Sequence, residues 1–119
     1  LIFTRLEDII LLRAEALSVL GDQLGAINEL VSVQARRYEE GTGFTFNLGT
    51  DDIIKLIFEE RHRELLGEGS RWYDLIRYNK IKQNDAKFMN LINSGGIYWP
   101  ISRRLISQNS LLTQNAYWR

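Results

Sequence analysis

Residues 59–78 read EERHRELLGEGSRWYDLIRY, and the fold is decided by how this stretch is divided. Its twenty positions hold five acidic residues, four arginines, the only histidine of the chain and three aromatics. Gly67 and Gly69 interrupt it. Glycine is costly inside a helix, so a closely spaced pair marks a break. The spacing predicts one helix ending near Gly67 and another capped by Ser70, with residues 71–74 as its first turn.

The 119 residues suffice for one domain with a modest core. Fifteen basic and fifteen acidic residues give a formal net charge of zero, so no basic excess points to nucleic acid or anionic lipid. Without cysteine there is no disulfide framework and no thiolate metal site. One histidine leaves only a carboxylate-rich metal site open. The longest apolar runs, such as residues 9–12, are far too short to cross a bilayer. The chain begins at Leu1, shows no signal peptide and enters a helical pattern by Leu6. It is therefore expected to be the end of something longer.

Outward from the centre, the pattern is helical throughout. Leu6, Ile9, Ile10, Ala16, Leu17 and Leu20 form a stripe over residues 6–20 that Arg13 shares and Glu15 does not. Gly21 stands where a left-handed C-terminal residue belongs, and Asp22 begins the turn. A second helix over 23–38 takes Ala26, Ile27, Leu30, Val31 and Tyr38 as its core face, with Arg36 and Arg37 in its last turn. So short a joint makes the pair an antiparallel hairpin. The run Leu20-Gly21-Asp22 leading to Ala26-Ile27 resembles the middle of a tetratricopeptide repeat. A lone hairpin cannot bury its face, so upstream helices or helix three should stack on it.

Residues 40–50 are glycine-rich and read as a loop, with Phe44 and Phe46 forming a short strand or tucking into the core. Helix three opens at Thr50 or Asp51 and carries Ile53, Ile54, Ile57, Phe58, Leu65 and Arg61 on one face, with Glu59 and Arg63 as an i,i+4 pair. Helix four, 71–79, should bury Trp72, Leu75 and Ile76. Residues 85–92 form a short helix ended by Ser94-Gly95-Gly96, and 97–101 are extended because Pro100 disfavours helix at Trp99. Ser102 caps a brief turn to Ser107. The tail 109–119, with Leu111, Leu112, Tyr117 and Trp118, is expected to dock on the body.

Several constellations suggest chemistry. Glu59-x-x-His62 has the spacing of a di-iron ligand pair, but a second pair is lacking, so no metal site is assigned. Glu60, Glu64 and Glu68 follow at i,i+4 as in a glycosidase carboxylate set, but a helix surface rich in Glu and Arg is very common, and charge pairing is the preferred reading. Trp72, Tyr73, Tyr78, Tyr98 and Trp99 offer sugar-stacking faces or simple packing. No phosphate loop or nucleophile elbow is present, and no catalytic residue is assigned. Arginines on apolar stripes say more, because a buried guanidinium must be paired. The expectation is a structural ion-pair network of Arg13, Glu15, Arg61, Glu64, Glu68, Arg71 and Asp74, joining the hairpin to helices three and four.

Three blocks carry a family resemblance. They are Leu12-Arg13-Ala14-Glu15-Ala16 with Leu20-Gly21 and Ala26; Glu60-Arg61-x-x-Glu64-Leu65-x-x-Glu68-Gly69-x-Arg71-Trp72-x-Asp74-Leu75-x-Arg77; and Trp99-Pro100-Ile101 leading to Gln108-Asn109-Ser110-x-Leu112-x-Gln114-Asn115-Ala116-Tyr117. In this order the sequence resembles the C-terminal part of the SusD/RagB family of outer-membrane nutrient-binding lipoproteins. The middle block is the specific one. Departures occur at Ser102, where a second proline is usual, at Ala116, which replaces Pro-Gly, and at residues 33–38. The resemblance implies an all-α, tetratricopeptide-like fold with a docked tail, as one helical domain over 1–119. It implies a non-enzymatic, cofactor-free protein, lipid-anchored on the outer face of the outer membrane. Such a protein binds glycans or other nutrients and passes them to a SusC-like TonB-dependent transporter. The ligand pocket would lie mostly upstream, so no ligand-binding residue is transferred. The rival reading is a repeat-type protein-interaction scaffold.

Overall fold

The computed structural model describes residues 4–37 and 52–119. The described residues form six α-helices and a 3-10 turn, with no strand: α1 (Leu6–Val19), α2 (Gln23–Gln34), α3 (Ile53–Glu64), α4 (Arg71–Lys82), α5 (Ala86–Asn93), α6 (Arg103–Gln108) and the turn Ala116–Trp118. The all-α expectation holds. Two compact units are present, Leu1–Tyr78 and Asn79–Arg119, and the division falls within α4. The glycine-rich loop with Phe44 and Phe46 and the second helix's Tyr38 lie outside the described residues, as do Thr50 and Asp51, the expected opening of helix three; the helix starts instead at Ile53, capped by Asp52, which accepts from Lys55 N at 3.2 Å.

In the first unit α1, α2 and α3 share one core: Leu11 and Ala14 from α1, Ala26, Leu30 and Val33 from α2, Ile53 and Ile57 from α3. Ile10, Leu17, Ile27 and Leu56 pack against it. The alanines at 14 and 26 are fully buried, which lets the helix axes approach closely. Each buried Leu or Ile contributes about 1.5–3 kcal/mol relative to an exposed one.

The stripe expected on α1 needs correction. Its buried residues are Leu11, Ala14, Glu15 and Ser18, at the i, i+3, i+4, i+7 spacing of one face. Leu6, Ile9 and Leu20 are exposed, on the opposite side of the helix. α1 therefore carries two apolar stripes, and the sequence reading merged them. Val31 of α2, also expected in the core, is exposed as well.

The joint follows from local hydrogen bonding. Gly21 has φ +91°, and α1 ends in a Schellman turn, with Asp22 N donating to Leu17 O at 2.9 Å and Gly21 N to Ser18 O at 3.2 Å. Asp22 then caps α2 by accepting from Gly25 N at 2.9 Å. α2 ends at Gln34, so Arg36 and Arg37 follow the helix rather than closing it. The predicted break between α3 and α4 is present, with Gly67 at φ +82° and Gly69 at φ +79°. On α4, Trp72, Leu75 and Ile76 are only half-buried, while Asp74 is buried.

The second unit has a comparable logic. Asp85 caps α5 by accepting from Lys87 N and Phe88 N, each at 3.0 Å. Gly96 N donates to Leu91 O at 2.9 Å to end the helix. Ser102 occupies the cap position of α6 but makes no side-chain cap bond. The tail returns on residues 95–101. Gln114 bonds both the N–H and the carbonyl of Ile101, at 3.1 and 2.9 Å, Asn115 Nδ2 reaches Gly95 O at 3.1 Å, and Trp118 Nε1 reaches Tyr98 O at 2.7 Å. Asp85→Ala is expected to lower the stability of this unit by about 1 kcal/mol, as loss of a cap does, read as a reduced midpoint in urea.

Candidate functional site

The charged face of α3 is the chemical centre of the first unit. Ile53, Ile54, Ile57 and Phe58 are buried, and the same face continues as Glu60, Arg61 and Glu64, also buried. The i+3/i+4 spacing that sets an apolar stripe thus carries charges directly into the core. Such groups are tolerated only when paired and hydrogen-bonded.

Each has its partners. Arg61, 3% exposed, places Nε 3.1 Å from Asp74 Oδ1, and Nη1 donates to the Asp8 carbonyl at 3.2 Å. Its Nη2 lies 2.8 Å from Asp8 Oδ1, an ion pair without a hydrogen bond's alignment. Asp74 Oδ1 also accepts from Arg77 Nη2 at 2.8 Å, whereas its buried Oδ2 has no partner. Arg77 is bidentate to Glu15, with Nε to Oε1 at 2.9 Å and Nη2 to Oε2 at 3.0 Å. Partial burial pulls the Arg77 guanidinium down, but the hydrogen bonds and charges of Glu15 and Asp74 outweigh it and hold it above its ordinary value. Arg77 stays charged at any physiological pH.

The carboxylates of α3 reach the other way. Glu60, 2% exposed, accepts from Gln34 Nε2 at 3.0 Å and from Arg63 Nη2 at 2.8 Å. Glu64 takes Arg5 Nη1 at 3.1 Å and also Arg37, and Arg5 Nη2 donates to its carbonyl at 2.7 Å. Arg5 Nη2 also meets Glu68 at 2.8 Å. Through these contacts α3 is tied to α1, to α2 and the residues after it, and to α4.

Of the residues expected in the network, the structure brings Glu15, Arg61, Glu64, Glu68 and Asp74 into these pairs. Two expectations are corrected. Arg13 lies on the outer stripe of α1, is 65% exposed and pairs with Glu29. Arg71 is exposed and makes no ion pair among the described residues. Glu59 pairs with Lys55 at 3.8 Å, not with Arg63, which turns to Glu60. Sequence reasoning missed Arg5, Asp8, Arg37, Glu60 and Arg77. Glu60 and Arg77 had a signal: the first continues the Ile53–Ile57 stripe, and the second stands three residues after Asp74. Among the described residues no group of three or more His, Cys, Asp or Glu is placed to hold a metal, and His62 is exposed. No described helix is long and apolar enough to cross a membrane.

Comparison with known proteins places the chain in a family. The sequence matches the SusD family over residues 1–96. The chain belongs to the SusD family. It is 38% identical to a SusD-like protein, P38, of Formosa agariphila, over 97% of the chain and 24% of that protein. It also superimposes on the crystal structure of a SusD superfamily protein from Bacteroides thetaiotaomicron with a TM-score of 0.86 and 47% identity, covering 98% of the chain and 26% of that structure. The chain thus spans about a quarter of the length of these SusD relatives. In this SusD-family chain every Asp, Glu and Arg from Glu60 to Arg77 except Arg71 is in an ion pair among the described residues.

Proposed function

We propose that the chain serves a nutrient-binding protein of the cell surface as its helical closing part. The nutrient class is glycan, of the starch-like carbohydrate type, and the role is binding without catalysis. The protein would be lipid-anchored on the outer face of the outer membrane and hand its ligand to a SusC-like TonB-dependent transporter. The observation that carries this reading is the near-complete coverage of the chain by SusD relatives at 38% and 47% identity. The buried network supports a scaffolding role for residues 60–77, because their charges, Arg71 apart, pair with one another and with Arg5, Asp8, Glu15 and Arg37. A glycosidase reading of Glu60, Glu64 and Glu68 fits poorly, since Glu60 and Glu64 are buried against arginines. The exposed outer stripe of Leu6, Ile9 and Leu20 favours, as a second reading, a repeat-type scaffold that packs against other helices.

Deleting the gene should abolish uptake of one glycan, and the tagged protein should co-purify with a TonB-dependent transporter from outer membranes. Unchanged growth across a panel of glycans, with no transporter recovered, overturns the proposal.

A further inference from the structure

Between α3 and the start of α4 lies a cavity of about 160 Å3, lined by Lys55, Phe58, Glu59, Arg71, Leu75 and Tyr78. Its floor is apolar. Phe58 and Tyr78 meet edge to face with centroids 5.3 Å apart, and Leu75 completes the surface. Its rim is charged, with two cations and one carboxylate. Lys55 and Glu59 face each other at 3.8 Å. Arg71 stands apart from every other described arginine of the first unit. Arg5, Arg13, Arg36, Arg37, Arg61, Arg63 and Arg77 each have a carboxylate within 4 Å, and Arg71 has none among the described residues. An exposed guanidinium with no carboxylate partner among the described residues, beside an aromatic floor, is a candidate carboxylate receptor.

We infer that this recess binds a carboxylate carried on a six-membered ring, specifically a uronic-acid sugar. The guanidinium of Arg71 takes the carboxylate as a fork. Tyr78 and Leu75, backed by the buried Phe58, take the apolar C–H face of the ring, and the Lys55–Glu59 pair offers a donor and an acceptor to ring hydroxyls. Size fits one ring. The volume is well below the roughly 300–1,000 Å3 that holds a drug-sized ligand. The sugar half of this inference rests on the nutrient-binding reading. The carboxylate half rests on the geometry alone.

The test titrates the full chain with methyl glucuronide, methyl glucoside and benzoate, read by NMR at the Arg71 side-chain N–H and the Tyr78 ring. Glucuronide should shift both, and the glucoside should bind at least tenfold more weakly. Arg71→Gln should weaken glucuronide at least tenfold without moving the melting temperature, since Arg71 makes no contact the fold depends on. Lys55→Gln, equally exposed, should weaken it severalfold and gives a second, independent variant. Equal binding of glucoside and glucuronide, or an Arg71→Gln variant that binds like the parent, overturns the inference. Benzoate binding more tightly than glucuronide overturns the sugar assignment. Capture of neutral glycans with no response to glucuronide overturns the site while leaving the nutrient-binding proposal intact. Failure of all three probes overturns the site, and the nutrient-binding proposal then stands or falls by the uptake experiment.

Discussion

Arg61→Ala is expected to leave the first unit unfolded, or close to it, at room temperature. Arg61 and Asp74 are 3% and 1% exposed at their side chains, so this is an ion pair inside the protein. Removing one partner of such a pair costs about 3–5 kcal/mol, because the other charge stays buried without compensation. The whole stability of a domain is about 5–15 kcal/mol. Asp74 already carries one buried oxygen without a hydrogen bond, and the loss of Arg61 removes one of the two donors of the other. Arg61→Lys should fail nearly as badly, since one ammonium cannot span Asp74, the Asp8 carboxylate and the Asp8 carbonyl at once. The informative variant is the double substitution of Arg61→Met with Asp74→Asn. It removes both charges, keeps an acceptor for Arg77, and should recover part of the loss. Urea titrations of the parent, Arg61→Met, Asp74→Asn and the double variant give the coupling directly. A single Arg61→Ala variant with the parent's midpoint would show that the buried charges do not hold the helices together.

Ile57→Ala should cost about 2–5 kcal/mol, toward the upper part of that range. Ile57 is fully buried and belongs to the one cluster in which α1, α2 and α3 meet. Truncation opens a cavity that three helices would have to close together, and the opposing demands of their axes limit the collapse. Leu20→Ala is the matched control. Leu20 is 82% exposed, and its truncation should change stability by no more than about 0.5 kcal/mol. Two leucine-sized aliphatic positions in one unit thus separate by most of the available range, and a thermal melt ranks them. Comparable losses at both sites would mean that the outer stripe of α1 is covered in solution.

The helices were legible because their ends are written in glycine and aspartate. Gly21, Gly67 and Gly69 adopt positive φ, and Asp22 and Asp85 cap. The face of α3 was legible because its stripe is single. That of α1 was not, because apolar residues lie on both its sides and periodicity cannot tell which side meets the core. From that error followed the misplacement of Arg13 outside its true position and the neglect of Glu15's depth, since Glu15 lies one turn after Leu11 on the buried face. Arg71 was placed in the network by composition alone. Arg71 stands three residues before Asp74, the same spacing at which Arg77 follows it, yet only Arg77 pairs with Asp74, so spacing along the helix does not by itself choose the partner. Asp8 and Arg5 escaped notice for a different reason. Their partners lie 53 and 59 residues on, and no local pattern encodes so distant a pairing.

Those separations bear on how the chain is made. Asp8 and Arg5 leave the ribosome long before Arg61 and Glu64 exist. At roughly 5–20 residues per second, α1 waits several seconds for the charges that will hold it. Until then α3 is not there to cover the inner apolar face of the α1–α2 hairpin, and newly made molecules in that interval are the form a chaperone or protease would meet.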